Sequence, residues 1–145
     1  MDFIDRFINA ITQLHPTHPM FVHFPIALTG AAFFFILLAW WRNNAALEQT
    51  AFANMALAAI STVVAGVTGY LDNLNNYEGE APNATAKIIL ATLLFLLTTG
   101  ISLVRYRNPE IFSTGNRLLY AASYGLSFLI AFTLAFLGGV ILYGF

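Results

Sequence analysis

All three histidines of the chain fall in one short segment, at His15, His18 and His23. Imidazole alone can ligate haem iron, and imidazole together with carboxylate can bind a divalent transition metal. These histidines are therefore candidate cofactor ligands, although the sequence does not identify a cofactor. The candidates are haem b, a pigment or a metal ion, with quinone as a further contact.

Prolines interrupt the same segment at Pro16, Pro19 and Pro25. A proline lacks a backbone N–H and biases the residue before it toward extended backbone. The pattern predicts that no regular helix runs through Pro19, and that Pro25 lies in the first turn of a helix, where its missing N–H has little effect. His23 would then lie at the rim of the membrane.

Up to three carboxylates are predicted to share this rim. Asp72 ends the second apolar run, and Glu78 and Glu80 lie in the loop after it. The candidate metal ligands are His15, His18, His23, Asp72 and Glu78. The alternative is structural: the histidines hydrogen-bond a neighbouring loop, and Asp72 caps a helix end or pairs with Lys87. The sequence leaves both interpretations open.

These residues must be positioned by apolar helices. Hydrophobic residues make up 59% of the 145-residue chain and charged residues 9%, which is too few charges to cover a soluble domain. Four apolar runs, at about residues 22–41, 50–71, 86–104 and 117–143, each approach the length that crosses a hydrocarbon core. We predict an all-α integral membrane four-helix bundle that forms a single transmembrane domain over residues 1–145.

A short amphipathic helix is predicted ahead of the first span. Residues 1–14 place apolar side chains on one helical face and polar side chains opposite. Such a helix lies in the headgroup region or packs on a partner subunit. The acidic start at Asp2 and Asp5 does not resemble a cleaved signal peptide.

The basic residues predict the orientation. Arginines cluster in the connections after the first and third spans, at Arg42, Arg105, Arg107 and Arg117, whereas the opposite side has Arg6 and Lys87. By the positive-inside rule the arginine-rich connections are cytoplasmic. We expect a multi-pass protein of the bacterial inner membrane with both termini on the outer, periplasmic side.

Small residues on the second and fourth spans recur at three- and four-residue spacing. Such ridges let helix backbones approach closely in lipid. The residues expected to pack helices are Ala58, Thr62, Ala65, Gly66, Gly69, Gly138 and Gly139.

Composition also excludes several functions. The chain has no cysteine, so thiol chemistry and covalent haem attachment are excluded, and its net charge of −1 offers no basic surface for nucleic acid. The nucleophile elbow, the zinc-protease helix motif and the phosphate-binding glycine loop are absent, which disfavours these enzyme classes. A small transporter is also disfavoured, because the middles of the spans lack prolines and charges.

At the histidine segment the chain resembles the bacterial membrane family called domain of unknown function 2231. The residues that carry the resemblance are Leu14-His15-Pro16, His18-Pro19-Met20-Phe21-Val22-His23-Phe24-Pro25-Ile26-Ala27-Leu28, Ala65-Gly66-Val67-Thr68-Gly69-Tyr70-Leu71-Asp72 and Leu137-Gly138-Gly139. The resemblance implies a four-span bundle and association with redox modules such as c-type cytochromes or Rieske-like proteins. It also implies that His18 and His23 are the site residues. Family members place a further histidine near the start of the third span, where this chain has Ala84-Thr85-Ala86-Lys87.

This departure favours an accessory role. The expected function is a small accessory subunit of a bacterial electron-transfer or photosynthetic membrane complex. It would stabilise neighbouring subunits, lipid, quinone or pigment, and other copies of the chain are alternative partners. The second hypothesis is a b-type haem- or metal-binding redox protein that uses the outer histidines.

Overall fold

The protein folds into helices joined by short connections. The computed structural model describes residues 2–9 and 17–143. It contains α1 (Phe3–Asn9), α2 (Thr17–Arg42), α3 (Ala45–Tyr77), α4 (Ala84–Arg107), a 3₁₀ turn (Ile111–Ser113) and α5 (Arg117–Tyr143). No strand occurs within these described ranges. The predicted all-α fold class is confirmed.

Helices α2 to α5 have the length and composition of membrane spans. At a rise of about 1.5 Å per residue, even the 24 residues of α4 exceed the roughly 30 Å hydrocarbon core. Only 17–33% of the residues in the most apolar part of each helix are buried inside the protein. The rest of this apolar surface needs lipid or another protein around it, so the chain is a multi-pass membrane protein.

The four spans form a ring in which each helix contacts the next, and α5 closes the ring on α2. Successive spans run in opposite directions because the connections are short. The starts of α2 and α4 therefore meet the ends of α3 and α5 at one end of the bundle, which we call the histidine end. The opposite end, formed by the α2–α3 and α4–α5 connections, is called the arginine end.

The start of α2 differs from the prediction. The helix begins at Thr17, so Pro19 lies in its first turn and Pro25 in its interior. The expectation that regular helix cannot include Pro19 was wrong, because N–H groups in a first turn have no partner within the helix. The expectation that Pro25 occupies the first turn was also wrong. The Pro25 carbonyl accepts a hydrogen bond from the Thr29 hydroxyl at 2.6 Å, an example of how neighbouring Ser and Thr side chains satisfy backbone groups near an intramembrane proline.

Small and aliphatic side chains fill the core between α2 and α3. Ala32, Ile36 and Ala39 of α2 are fully buried, as are Ala51 and Met55 of α3. The α2 residues recur at spacings of four and three, which places them on one helical face. The alanines let the two backbones approach closely.

Each span also has a buried Ser or Thr side chain, namely Thr29, Thr62, Thr98 and Ser127. Each hydroxyl donates to the carbonyl four residues earlier in its own helix, at 2.6–2.9 Å. An unpaired polar group in an apolar interior costs several kcal/mol. These bonds satisfy the hydroxyls without a charged partner.

The amphipathic N-terminal helix is present in part. Helix α1 spans Phe3–Asn9, and the side chains of Phe3 and Ile4 are 81% and 66% exposed. Its expected continuation to Leu14 lies outside the described residues. Its location in the headgroup region stays a prediction.

Candidate functional site

His18 is fixed between α2 and α3 at the histidine end. Its imidazole packs against Gly69, where a Cβ would lie only 2.7 Å from the ring atom Cε1. Its Nδ1 lies 3.3 Å from the hydroxyl oxygen of Thr68. A glycine that makes room and a threonine that orients the ring together hold this imidazole in one position.

Thr68 can pair with His18 in one tautomer while it also bonds its own helix. The Thr68 hydroxyl has one proton, and the carbonyls of Val64 and Ala65 lie 3.0 and 3.1 Å from its oxygen. When a carbonyl takes this proton, the hydroxyl oxygen accepts from His18 in the tautomer with its proton on Nδ1. Nε2 carries the lone pair in that tautomer. Histidines that bind metals or haem use this arrangement, with one nitrogen held by a protein group and the other on the ligand.

Two charged side chains from neighbouring spans complete the surroundings of His18. Asp72 of α3 and Lys87 of α4 both act on it electrostatically. Asp72 also interacts with Lys87 and accepts a hydrogen bond from Asn76 at 2.6 Å. Asp72 lies one turn after Thr68 on α3, so it shares the histidine end with His18.

His23 lies apart from this cluster. It is exposed, and its Nδ1 contacts the carbonyl of Pro19, one turn earlier in α2. Five residues along a helix correspond to a rotation of about 140° from His18. His15, the third histidine, lies outside the described residues.

The expected metal ligands do not converge where the structure describes them. Glu78 is exposed and occupies the left-handed cap of α3, with φ of 52°. Within residues 2–9 and 17–143, no group of three or more His, Cys, Asp or Glu side chains is arranged to hold a metal ion. Of the described candidates, only His18 and Asp72 lie together.

The predicted packing residues divide into two groups. Ala58, Thr62 and Ala65 are buried inside the bundle, and Gly69 accommodates His18. In contrast, no described atom lies within 4 Å of the position that a Cβ would take at Gly66, Gly138 or Gly139. The second group leaves open surface on α3 and α5.

A groove of about 390 Å³ runs between α3 and α4 near the middle of the spans. Its walls are Ala59, Ile60, Val63, Val64, Phe95 and Thr99. Ala59, Val63 and Gly66 are spaced by four and three residues, so Gly66 continues the same face toward the histidine end. The Thr99 hydroxyl oxygen is buried and has no hydrogen-bond partner among the described residues.

A second polar cluster, which the sequence analysis did not predict, lies at the arginine end. Glu48 of α3 is 2% exposed and accepts from Arg105 of α4, with Nε to Oε1 at 2.6 Å and Nη2 to Oε2 at 2.8 Å. Tyr120 of α5 donates to Glu48 Oε1 at 2.8 Å, and its hydroxyl lies 2.7 Å from that of Tyr124. Because Tyr120 gives its only proton to the carboxylate, Tyr124 must donate to Tyr120.

The sequence contained a signal for this cluster. Glu48 is the fourth residue of α3 and Arg105 is the third from the end of α4. In adjacent antiparallel spans these positions have similar depth, and opposite charges at one depth predict a pair. In the sequence, Arg105 serves only as evidence for the orientation of the spans.

Together the four apolar spans and the buried polar cluster around Glu48 define a helical membrane protein. The chain belongs to the family described as Predicted membrane protein (DUF2231), whose model matches residues 14–143. Comparison with curated proteins and with solved structures returned no match.

Proposed function

We propose that this protein is a small accessory subunit of a bacterial electron-transfer or photosynthetic membrane complex, where it stabilises neighbouring subunits and the lipid, quinone or pigment between them. The observation that carries the proposal is the open groove between α3 and α4 with Gly66 on its continuing face. An apolar groove bordered by small residues suits the close approach of another transmembrane helix.

The apolar walls of the groove support a transmembrane helix as its occupant. Ala59, Ile60, Val63 and Val64 of α3 face Phe95 of α4 across it, and such a surface packs against another apolar helix in lipid. A second copy of this chain is the other occupant that the groove could accept.

The electron-transfer part of the proposal rests on the family resemblance, which implies association with redox proteins. The histidine end agrees with such a role, since the His18 imidazole packs against Gly69 and contacts the Thr68 hydroxyl. We further propose that the membrane is the bacterial inner membrane and that the histidine end faces outward.

The test is co-purification from native membranes with a pair of matched variants. Gly66→Leu should fold, because no described atom lies within 4 Å of its Cβ position, and should block the groove face. Gly100→Leu is the control, because its position is equally open but lies on a different face of α4 from Phe95 and Thr99.

The wild-type chain and the Gly100→Leu variant should co-purify with a complex that contains haem, iron–sulfur clusters or pigment. The Gly66→Leu variant should lose it. Retention of the complex by Gly66→Leu would contradict the groove as the contact. A co-purifying complex without redox or light-absorbing cofactors would contradict the electron-transfer assignment.

A second candidate function is a b-type haem protein, with His18 as the single axial ligand from this chain. The observation that favours it is the His18 imidazole, which packs against Gly69 with its Nδ1 beside the Thr68 hydroxyl, as in histidine ligands that a protein group orients. A visible spectrum of the purified protein tests this function. A Soret band that His18→Ala removes and His23→Ala leaves intact supports haem binding, whereas a colourless preparation contradicts it.

A further inference from the structure

The arginines at the arginine end differ in whether other side chains of the protein pair with them. Arg105 is bound by Glu48 through two hydrogen bonds. Arg42 and Arg107 are exposed, and neither has a carboxylate partner among the described residues. Two positive charges at the membrane surface are therefore available to a ligand.

Arg117 adds a third charge in a fixed position. Its Nη2 donates to the carbonyl of Trp40 at 2.8 Å, and its guanidinium lies over the rings of Phe112 and Trp40, at 4.3 and 5.1 Å from their centroids. Its Nη1 donates to the side chain of Asn43 at 3.4 Å. Arg117 thus joins the α2–α3 and α4–α5 connections into one surface.

Exposed aromatic side chains accompany the free arginines. The Arg42 guanidinium lies 5.5 Å from the ring centroid of Trp41, which is 79% exposed. Tyr106, next to Arg107, is 77% exposed. Amphipathic rings occupy the headgroup level of a bilayer. The free arginines consequently lie at the depth of lipid phosphates.

The two ends of the bundle have opposite charge. The arginine end has Arg42, Arg105, Arg107 and Arg117 against Glu48 and Glu110, whereas the spans and loop of the histidine end have Lys87 against Asp72, Glu78 and Glu80. The positive end attracts anionic lipid and the negative end repels it.

We propose that the arginine end binds anionic phospholipid headgroups, with Arg42 and Arg107 each contacting the phosphate of a separate lipid, because α2 and α4 lie across the ring from one another. Arg117 adds positive charge from its fixed position, and Trp41 packs against the lipid beside Arg42. This inference requires only that the protein spans a membrane and does not depend on the accessory-subunit proposal.

The test is native mass spectrometry of the full chain in mild detergent, with equal amounts of phosphatidylglycerol and phosphatidylcholine of identical acyl chains. The Arg42→Gln/Arg107→Gln variant removes the two free cations. The control, Arg6→Gln/Lys87→Gln, removes two cations outside the arginine end. Far-UV circular dichroism checks that each variant keeps its helices.

The wild-type protein should retain more phosphatidylglycerol than phosphatidylcholine. The ratio of the two retained lipids should fall by about fivefold for each arginine removed. High salt should weaken it in the unmodified protein. Equal retention of the two lipids, or an equal loss in the control variant, would overturn the proposal. Displacement of the lipid by inorganic phosphate, at an ionic strength where sodium chloride leaves the lipid bound, would also overturn it, since the site would then recognise a free anion.

Discussion

The Glu48 carboxylate accepts hydrogen bonds from both Nε and Nη2 of Arg105, at 2.6 and 2.8 Å, across the interface between α3 and α4. Tyr120 adds a third hydrogen bond from α5. Three of the four spans are therefore joined at a buried charge. Charged groups at membrane depth are stable only with partners of this kind.

Arg105→Gln should destabilise the bundle strongly, because it leaves the buried Glu48 without its counter-charge. Removal of one partner of a buried ion pair costs about 3–5 kcal/mol. Thermal unfolding in detergent, followed by circular dichroism, measures the effect. The double variant Glu48→Gln/Arg105→Gln should recover part of the loss. If Arg105→Gln unfolded no earlier than the exposed-site control Arg107→Gln, the pair would not stabilise the fold.

Tyr120→Phe should destabilise the bundle less than Arg105→Gln does. It removes the hydroxyl that donates to Glu48 and accepts from Tyr124, while the ring still fills its buried position. The expected loss is about 1–3 kcal/mol, because the Tyr124 hydroxyl is left without a partner. The same unfolding measurement applies, with Tyr106→Phe at an exposed ring as the control. Equal stability of the two variants would argue against the tyrosine–carboxylate cluster.

Gly69→Ala should displace the His18 imidazole. The added Cβ would lie 2.7 Å from Cε1, so the ring must move away from Thr68. Gly66→Ala is the matched control in the same helix, since it has open space and the same gain in helix propensity. We expect Gly69→Ala to be about 1 kcal/mol less stable than the control. The nuclear magnetic resonance signals of His18 should shift in Gly69→Ala alone, and unchanged signals would contradict the close packing.

Single cysteines can test the orientation, because the natural chain has no cysteine. A cysteine in place of Glu78, at the histidine end, should react with a membrane-impermeant maleimide added outside cells. A cysteine in place of Asn108, at the arginine end, should react only after the membrane is opened. The reverse pattern would place the arginine end outside.

The fold class could be predicted from the sequence because lipid imposes simple rules on long apolar runs. The start of α2 could not, because the sequence alone does not show that Pro19 lies in a first turn and that Thr29 satisfies the carbonyl of Pro25. Proline patterns predict where an N–H is missing, and the surrounding structure decides whether that matters.

The candidate site could be predicted only in part. The sequence predicts that His18 and Asp72 share one end of the bundle, and the order of the spans places both residues at the histidine end. The contacts that position His18 come from Thr68 and Gly69, some fifty residues later in the chain, and Glu48 meets Arg105 across 57 residues. Such pairs depend on the rotation of each helix about its axis, which hydropathy does not define. His23 and His18 lie on different faces of α2 because five residues separate them along the helix.

The most direct test of the accessory role is the electron-transfer rate of native membranes from cells that lack this chain. The account predicts that the amount of the partner complex and its rate of electron transfer both fall. The wild-type chain and the Gly100→Leu variant should restore them, and the Gly66→Leu variant should not. Unchanged complex content and an unchanged rate in the membranes without this chain would contradict the account.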